Sequence, residues 1–106
     1  MIDIKDLQNL ASDSKNIIIT EHMHIRLKQR KIKFFDLKKV LLTGEIIEQY
    51  PTGYPYPCCL VLGTSSDNKA IHICTGLGEN KLWIITGYYP DLDKWEKNYK
   101  TRKAVK

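Results

Sequence analysis

Residues 20–30 carry a histidine and two arginines at every fourth position: His22, Arg26 and Arg30. On an α-helix this spacing places the three side chains on nearly one face, each about one turn after the last. Cationic or proton-carrying groups in such a row repel one another, so the stripe is stabilised only by an anion lying against it. That anion is either a carboxylate elsewhere in the fold or a phosphate, and this choice largely decides the function.

The sequence around the stripe predicts a helix that begins after Thr20. Threonine is a good N-cap, and Glu21 follows in the first turn, where a negative charge suits the helix dipole. Met23 and Leu27 form an apolar stripe beside the cationic one. The helix therefore has one side for the protein core and another for the histidine and the arginines.

The remaining pattern predicts an α+β fold, with N-terminal helices packed on a four-stranded antiparallel sheet. Short polar connections between successive strands favour hairpins, and residues 17–19 form a β-branched run that we expect to be extended. The other predicted elements are helices over 3–13 and from 35 or 36 to 43, strands over 45–50, 58–63, 70–75 and 81–89, and a short terminal helix over 91–100.

Length and composition predict a single domain, residues 1–106. The chain is 42% hydrophobic, an ordinary value for a globular protein of 106 residues. It has no apolar run long enough to span a bilayer, and its first residues lack the basic and apolar regions of a secretory signal. We therefore expect a cytoplasmic protein with no membrane segment.

The net charge of +5 favours an anionic partner, of which nucleic acid is the commonest. Six Lys or Arg residues lie within 28–39 and six within 94–106, whereas 44–68 contains none. These basic segments form one patch if the C-terminus folds back over the helix. We predict no metal and no cofactor, because His22 and His24 would share a face only on a strand and no third ligand has useful spacing.

A set of motifs spread over most of the chain carries a family resemblance. They are Ile-Thr-Glu-His at 19–22 with Arg26, Arg30 and Ile32, residues 44–51, 55–63, 71–73 and 84–90, Trp95, and residues 101–103. In this order they resemble an uncharacterised bacterial family, domain of unknown function 4258. The chain departs from the family pattern at Lys31, where members often have glycine, and at His24.

The resemblance implies a RelE/barnase-like toxin-type fold, in which helices are followed by an antiparallel sheet. It also implies metal-independent cleavage of RNA and a cognate antitoxin partner of the zinc-ribbon and helix-turn-helix type. The expected function is therefore that of a toxin-like ribonuclease of a bacterial toxin–antitoxin system, with RNA and the antitoxin as its partners.

Metal-free RNA cleavage needs a base for the 2′-OH proton, cations for the phosphorane and an acid for the leaving 5′-oxygen. Histidine suits proton transfer near neutral pH, and arginine suits the phosphorane because it stays charged. The predicted catalytic residues are His22, Arg26, Arg30, His72 and Tyr89, and the residues predicted to bind RNA phosphates are Arg102 and Lys103.

A second interpretation of the same residues is structural. Arg26 and Arg30 would then pair with Glu45 and Glu48 and tie the helix to the first strand of the sheet. His72 would be a hydrogen-bonded core histidine. The matching alternative function is a non-catalytic basic module of the same fold that binds RNA or a protein.

Overall fold

Three helices cover one face of a five-stranded mixed sheet in the computed structural model, which describes residues 1–104. Residues 105 and 106 of the predicted domain lie outside the described residues. The helices are α1 (Ile4–Ala11), α2 (Glu21–Gln29) and α3 (Phe34–Thr43). The strands are β1 (Ile17–Ile18), β2 (Glu45–Tyr50), β3 (Cys58–Thr64), β4 (Ala70–Gly78) and β5 (Lys81–Tyr88).

The first two helices begin where their capping residues predict. The Asp3 side chain accepts the N–H of Lys5 at 2.8 Å, and Thr20 Oγ1 accepts the N–H of Met23 at 3.2 Å. Each bond satisfies one of the N–H groups that the first helical turn leaves unpaired. α3 begins at Phe34, slightly before the predicted start, and has no side-chain cap.

The sheet has one more strand than predicted, and it is mixed. The strand order is β1-β5-β4-β3-β2, and β2 to β5 form the predicted antiparallel meander. β1 pairs in parallel with β5, with Ile17 opposite Leu82 and Ile18 opposite Trp83. The α+β class is confirmed, whereas the prediction of a purely antiparallel four-stranded sheet is wrong. A two-residue strand has no alternating pattern to recognise, and its partner lies near the other end of the chain.

The C-terminal segment 91–104 contains turns and one β-bridge between Trp95 and Arg102, so the predicted helix over 91–100 is wrong. The side chains of Asp91 and Asn98 accept backbone N–H groups two residues further on, at 2.8 and 2.9 Å. Such local bonds give the backbone an alternative to helical pairing. Short polar side chains therefore fold this segment into turns that lie against the sheet.

The hydrophobic core lies between the helices and the sheet. Its fully buried members include Leu7, Leu37, Val40, Leu41, Val61, Ile71, Ile73 and Leu82. A Cβ on Gly87 would lie 2.8 Å from Ile73 Cδ1 and 3.0 Å from Leu27 Cδ2, so the missing side chain lets α2 approach β5. Within residues 1–104, no helix is both long enough and apolar enough to cross a bilayer.

Two residues after the end of α2, Lys31 has left-handed backbone, at φ 58°. The N–H of Lys31 donates to Lys28 O at 3.0 Å, and the N–H of Ile32 donates to Leu27 O at 2.9 Å. This is the Schellman pattern, in which glycine is preferred because a Cβ is disfavoured at positive φ.

Because of this strain, we expect Lys31→Gly to raise the free energy of unfolding by about 0.5–1 kcal/mol. Urea unfolding at neutral pH measures the effect. Lys31→Ala keeps a Cβ and is the matched control, for which we expect no gain. An equal gain from both variants would show that the lysine side chain, and not the backbone, is the source.

Candidate active site

The sheet face opposite the helices, hereafter the open face, carries a cluster of ionisable and aromatic side chains. Successive residues of a strand point to opposite faces. Ile71 and Ile73 lie in the helix-covered core, so His72 between them points to the open face. Tyr88 pairs with His72 across the sheet, and its hydroxyl contacts the imidazole ring.

His72 is completely buried and uses both ring nitrogens. Its Nε2 lies 2.7 Å from the carbonyl oxygen of Tyr99, and its Nδ1 lies 3.2 Å from the Tyr88 hydroxyl. Since a carbonyl oxygen only accepts, Nε2 carries the proton and Nδ1 accepts from the Tyr88 O–H. The Trp95 ring meets the imidazole edge-on at 4.4 Å between centroids. Burial lowers the pKa of His72, so the ring is neutral at physiological pH.

Glu48 and Arg102 form a bidentate pair above this histidine. Arg102 Nε and Nη2 donate to the two carboxylate oxygens of Glu48 at 2.9 and 3.0 Å, and the Tyr50 hydroxyl donates to the same carboxylate. The guanidinium carbon lies 4.7 Å from the centre of the Trp95 ring. The hydrogen bonds from Arg102 hold the pKa of Glu48 below its usual value, and burial together with the Glu48 contact raises the pKa of Tyr50 to about 12.

These contacts also fasten segment 91–104 to the sheet. Lys100 Nζ lies 2.9 Å from Glu45 Oε1, which adds a second ion pair beside the pair formed by Arg102. A cavity of about 350 Å³ opens between the segment and the end of β5. It is lined by Tyr88, Tyr89, Asp91, Lys94, Trp95 and Arg102. The guanidinium of Arg102 and the phenol of Tyr88 thus face a space of substrate size, and the Glu48 carboxylate is paired with that guanidinium.

Of the three side chains in the predicted helical stripe, two face solvent and one contacts the sheet. His22 and Arg26 are exposed on α2, on its outward side. Arg30 is half-buried, and its Nη1 donates to the Gly87 carbonyl at 2.8 Å and to Thr86 Oγ1 at 3.4 Å. Arg30 therefore ties α2 to β5, while the other two side chains are free to meet a partner.

The two predicted histidines do not share a site, because His72 faces the side of the sheet that α2 does not cover. Tyr89 donates its hydroxyl to Lys31 O at 3.1 Å and forms one wall of the cavity beside Arg102. Lys103 is exposed, and its backbone N–H donates to Lys94 O at 2.9 Å.

Glu45 and Glu48 do form ion pairs, but with partners other than those of the structural interpretation. Their cations are Lys100 and Arg102, not Arg26 and Arg30. The reason is geometric. Both carboxylates belong to β2, which is an edge strand, whereas α2 packs on β5, which lies three strands away across the sheet. The cations that reach β2 come from the C-terminal segment.

The sequence interpretation did not recognise that Glu48, Tyr50, Tyr88 and Trp95 belong to one cluster. Alternation along β2 already places Glu48 and Tyr50 on one strand face, which is a usable signal. The other two contacts depend on the path of segment 91–104, for which the local pattern predicted a helix. Within residues 1–104, no group of three or more His, Cys, Asp and Glu side chains is arranged to hold a metal ion.

A family model described as Domain of unknown function (DUF4258) matches residues 19–89, more than half of the chain. The chain belongs to this family. In this DUF4258 protein the matched region runs from the start of α2 to the end of β5. It includes Glu48, Tyr50, His72 and Tyr88 but ends before Arg102. No curated protein and no solved structure is significantly similar to the chain.

Because of this cluster, we expect the free energy of unfolding to fall in acid. Because the folded state lowers the pKa of His72 below 6.5, the unfolded chain binds more protons as the pH falls below that value. Stability from the neutral histidine is therefore lost from about pH 6.5 downward. Glu48 acts in the same direction at lower pH, because its folded pKa lies below 4.5.

Urea unfolding between pH 8 and 5 should show the loss of stability caused by His72. In the His72→Gln variant, the free energy of unfolding should depend less on pH over this range. A wild-type profile that is level over this range would contradict the assignment.

Proposed function

We propose that this protein is a toxin-type, metal-independent ribonuclease whose active site is the open face. The observation that carries the proposal is the contact between the Glu48 carboxylate and the Arg102 guanidinium, which itself lines a cavity together with Tyr88. These are the three kinds of group that cleavage through the ribose 2′-OH needs: a base, a cation and an acid.

In the proposed reaction, Glu48 accepts the proton of the 2′-OH, and the 2′-oxygen attacks the adjacent phosphorus. Arg102 stabilises the negative charge that develops on the phosphorane oxygens. Its pair with Glu48 uses Nε and Nη2 and leaves Nη1 outside the pair, and its side chain is 61% exposed. The ring of Trp95 beneath it limits the movement of the guanidinium.

Tyr88 is the proposed acid for the leaving 5′-oxygen. In the free protein its O–H donates to His72 Nδ1 at 3.2 Å, which holds the phenol in place, and in the proposed step the O–H turns from Nδ1 to the leaving oxygen and gives up its proton there. Burial raises the pKa of Tyr88, yet an alkoxide is a far stronger base than a phenolate and takes the proton readily. His72 acts here as a positioning residue, since it is buried and contacts the phenol instead of the substrate.

The wider proposal includes a RelE/barnase-like fold, a cytoplasmic location and neutralisation by a cognate antitoxin. The fold part of this proposal is supported by the order of elements, with α1 to α3 followed by the antiparallel strands β2 to β5. The basic segment 94–106, which includes Arg102, adds attraction for RNA phosphates.

The experiment is incubation of the purified protein with single-stranded RNA in excess EDTA, with analysis of product ends. We expect fragments that end in 2′,3′-cyclic phosphate or its 3′-phosphate hydrolysis product, because the 2′-oxygen is the nucleophile. Intact RNA, or 5′-phosphate ends that require added Mg²⁺, would reject the proposal.

A second candidate function is RNA binding without cleavage. One observation favours it: both oxygens of Glu48 and both nitrogens of His72 already have protein partners. A binder should retain RNA in a strongly salt-dependent manner and release no fragments. The exposed His22 and Arg26 would then serve as phosphate contacts, and His22→Ala and Arg26→Ala should weaken binding without any change in RNA length.

A further inference from the structure

A groove of about 570 Å³ lies between the C-terminal half of α2 and the start of α3, away from the open face. Its eight lining residues are Ile19, His24, Leu27, Lys28, Lys31, Ile32, Lys33 and Phe34. We call it the helix groove. It takes no part in the proposed cleavage of RNA, since no residue of the open-face cluster lines it.

The floor of the helix groove is apolar and ends at an exposed aromatic ring. Leu27 and Ile32 are buried at its base, while Phe34 remains 41% exposed. Phe35, the next residue along α3, is 70% exposed. Large apolar side chains that stay exposed beside a concavity are typical of a surface that a partner covers.

The rim of the helix groove is basic. His24, Lys28, Lys31 and Lys33 stand around the floor, and none of the eight lining residues is acidic. The ion pairs formed within residues 1–104 use Lys100 and Arg102, not these lysines. Within the described part of the chain these lysines therefore form no ion pair.

Lys31 places one of the rim charges on left-handed backbone. Its backbone has φ 58°, a conformation in which glycine would be more stable, as argued above. The chain nevertheless has a long cationic side chain at this position, on the rim of the groove. Lys31→Gly therefore removes one rim charge while relieving backbone strain, which makes it a suitable test of the rim.

We propose that the helix groove binds an acidic, amphipathic segment of a partner protein. Aliphatic or aromatic side chains of that segment fill the floor formed by Leu27, Ile32 and Phe34, while its carboxylates meet the lysines of the rim. RNA fits this surface less well, because bases bind mainly by stacking on aromatic or guanidinium planes, whereas Leu27 and Ile32 at the base of the groove are aliphatic.

The experiment begins with selection of binders from a random-peptide library on the full-length protein. We expect the selected peptides to combine Asp or Glu with Leu, Ile or Phe, and to shift the methyl NMR signals of Ile19, Leu27 and Ile32. Single-stranded RNA, titrated separately, should leave those signals in place. Failure to select peptides, selection of basic peptides, shifts elsewhere on the protein, or the same shifts caused by RNA would each overturn the proposal.

Two variants test the contacts with a selected peptide. Phe34→Ser should abolish detectable binding, since it removes the exposed end of the floor. Lys31→Gly should weaken binding about twofold to fivefold, the range for one rim charge, while the melting temperature rises. Loss of affinity together with a gain in stability cannot come from unfolding.

Lys5→Ala, which changes an exposed lysine on α1, is the matched control and should bind as the wild type does. Equal binding by wild type and Phe34→Ser would place the peptide elsewhere and overturn the proposal.

Discussion

Replacement of Glu48 by glutamine should lower the rate of RNA cleavage by about 10²–10⁴-fold, the usual contribution of a general base. The amide keeps the size of the side chain but cannot accept the 2′-OH proton. RNA affinity should stay equal or increase, because the substitution removes a negative charge beside Arg102. The effect should therefore be confined to the rate of the cleavage step, which single-turnover experiments with saturating protein measure.

Glu45→Gln is the matched control for this prediction. Glu45 lies on the same strand, forms an ion pair with Lys100, and loses the same charge on substitution. We expect its cleavage rate to remain within about twofold of the wild type, since an exposed ion pair contributes little. If Glu48→Gln cleaves as fast as Glu45→Gln, Glu48 is not the base. Loss of activity in His22→Ala alone would then move the site to the outward side of α2.

His72→Ala should reduce the free energy of unfolding by about 3 kcal/mol and the melting temperature by roughly 10–20 °C. The substitution leaves a cavity under Trp95 and removes the partners of the Tyr99 carbonyl and the Tyr88 hydroxyl. A buried polar group without a partner costs more than a lost contact at the surface. Thermal unfolding at pH 8 isolates this effect from the titration of the ring.

His22→Ala, at an exposed position, is the control for this prediction and should change the free energy of unfolding by less than about 0.5 kcal/mol.

Limited trypsin digestion adds a local readout, because segment 91–104 contains several lysines and is fastened over His72. In His72→Ala we expect cleavage within this segment before the rest of the chain is digested. A melting temperature equal to that of the wild type would show that His72 does not secure the segment.

Much of the fold was predictable because the relevant signals are local. The caps at Asp3 and Thr20 involve bonds to N–H groups two or three residues away, and the structure begins α1 and α2 directly after them. β2 occupies residues 45–50 as predicted, and the next three strands differ from the prediction mainly at their ends. Alternation and turn residues act within a few positions, so the sequence alone carries this information.

The candidate site was only partly predictable. His72 and Arg102 were both predicted from the sequence to contact a substrate. The sequence did not indicate that the two side chains lie in one cluster. The structure joins them through Trp95, whose ring lies against the imidazole and under the guanidinium. His22 and Arg26 keep the exposed helical face that their spacing indicates, whereas Arg30 turns to the Gly87 carbonyl.

The sequence by itself determined the three N-terminal helices, the strands of the meander, the basic character and the membership of the DUF4258 family. Only the tertiary structure decided that β1 joins β5, that segment 91–104 lies over the open face, and that Glu48 pairs with Arg102. The physical reason is range. A cap or an alternating pattern is satisfied by nearby residues, whereas these three pairings join distant parts of the chain. They form only when burial of the core compensates the entropy lost in closing long loops.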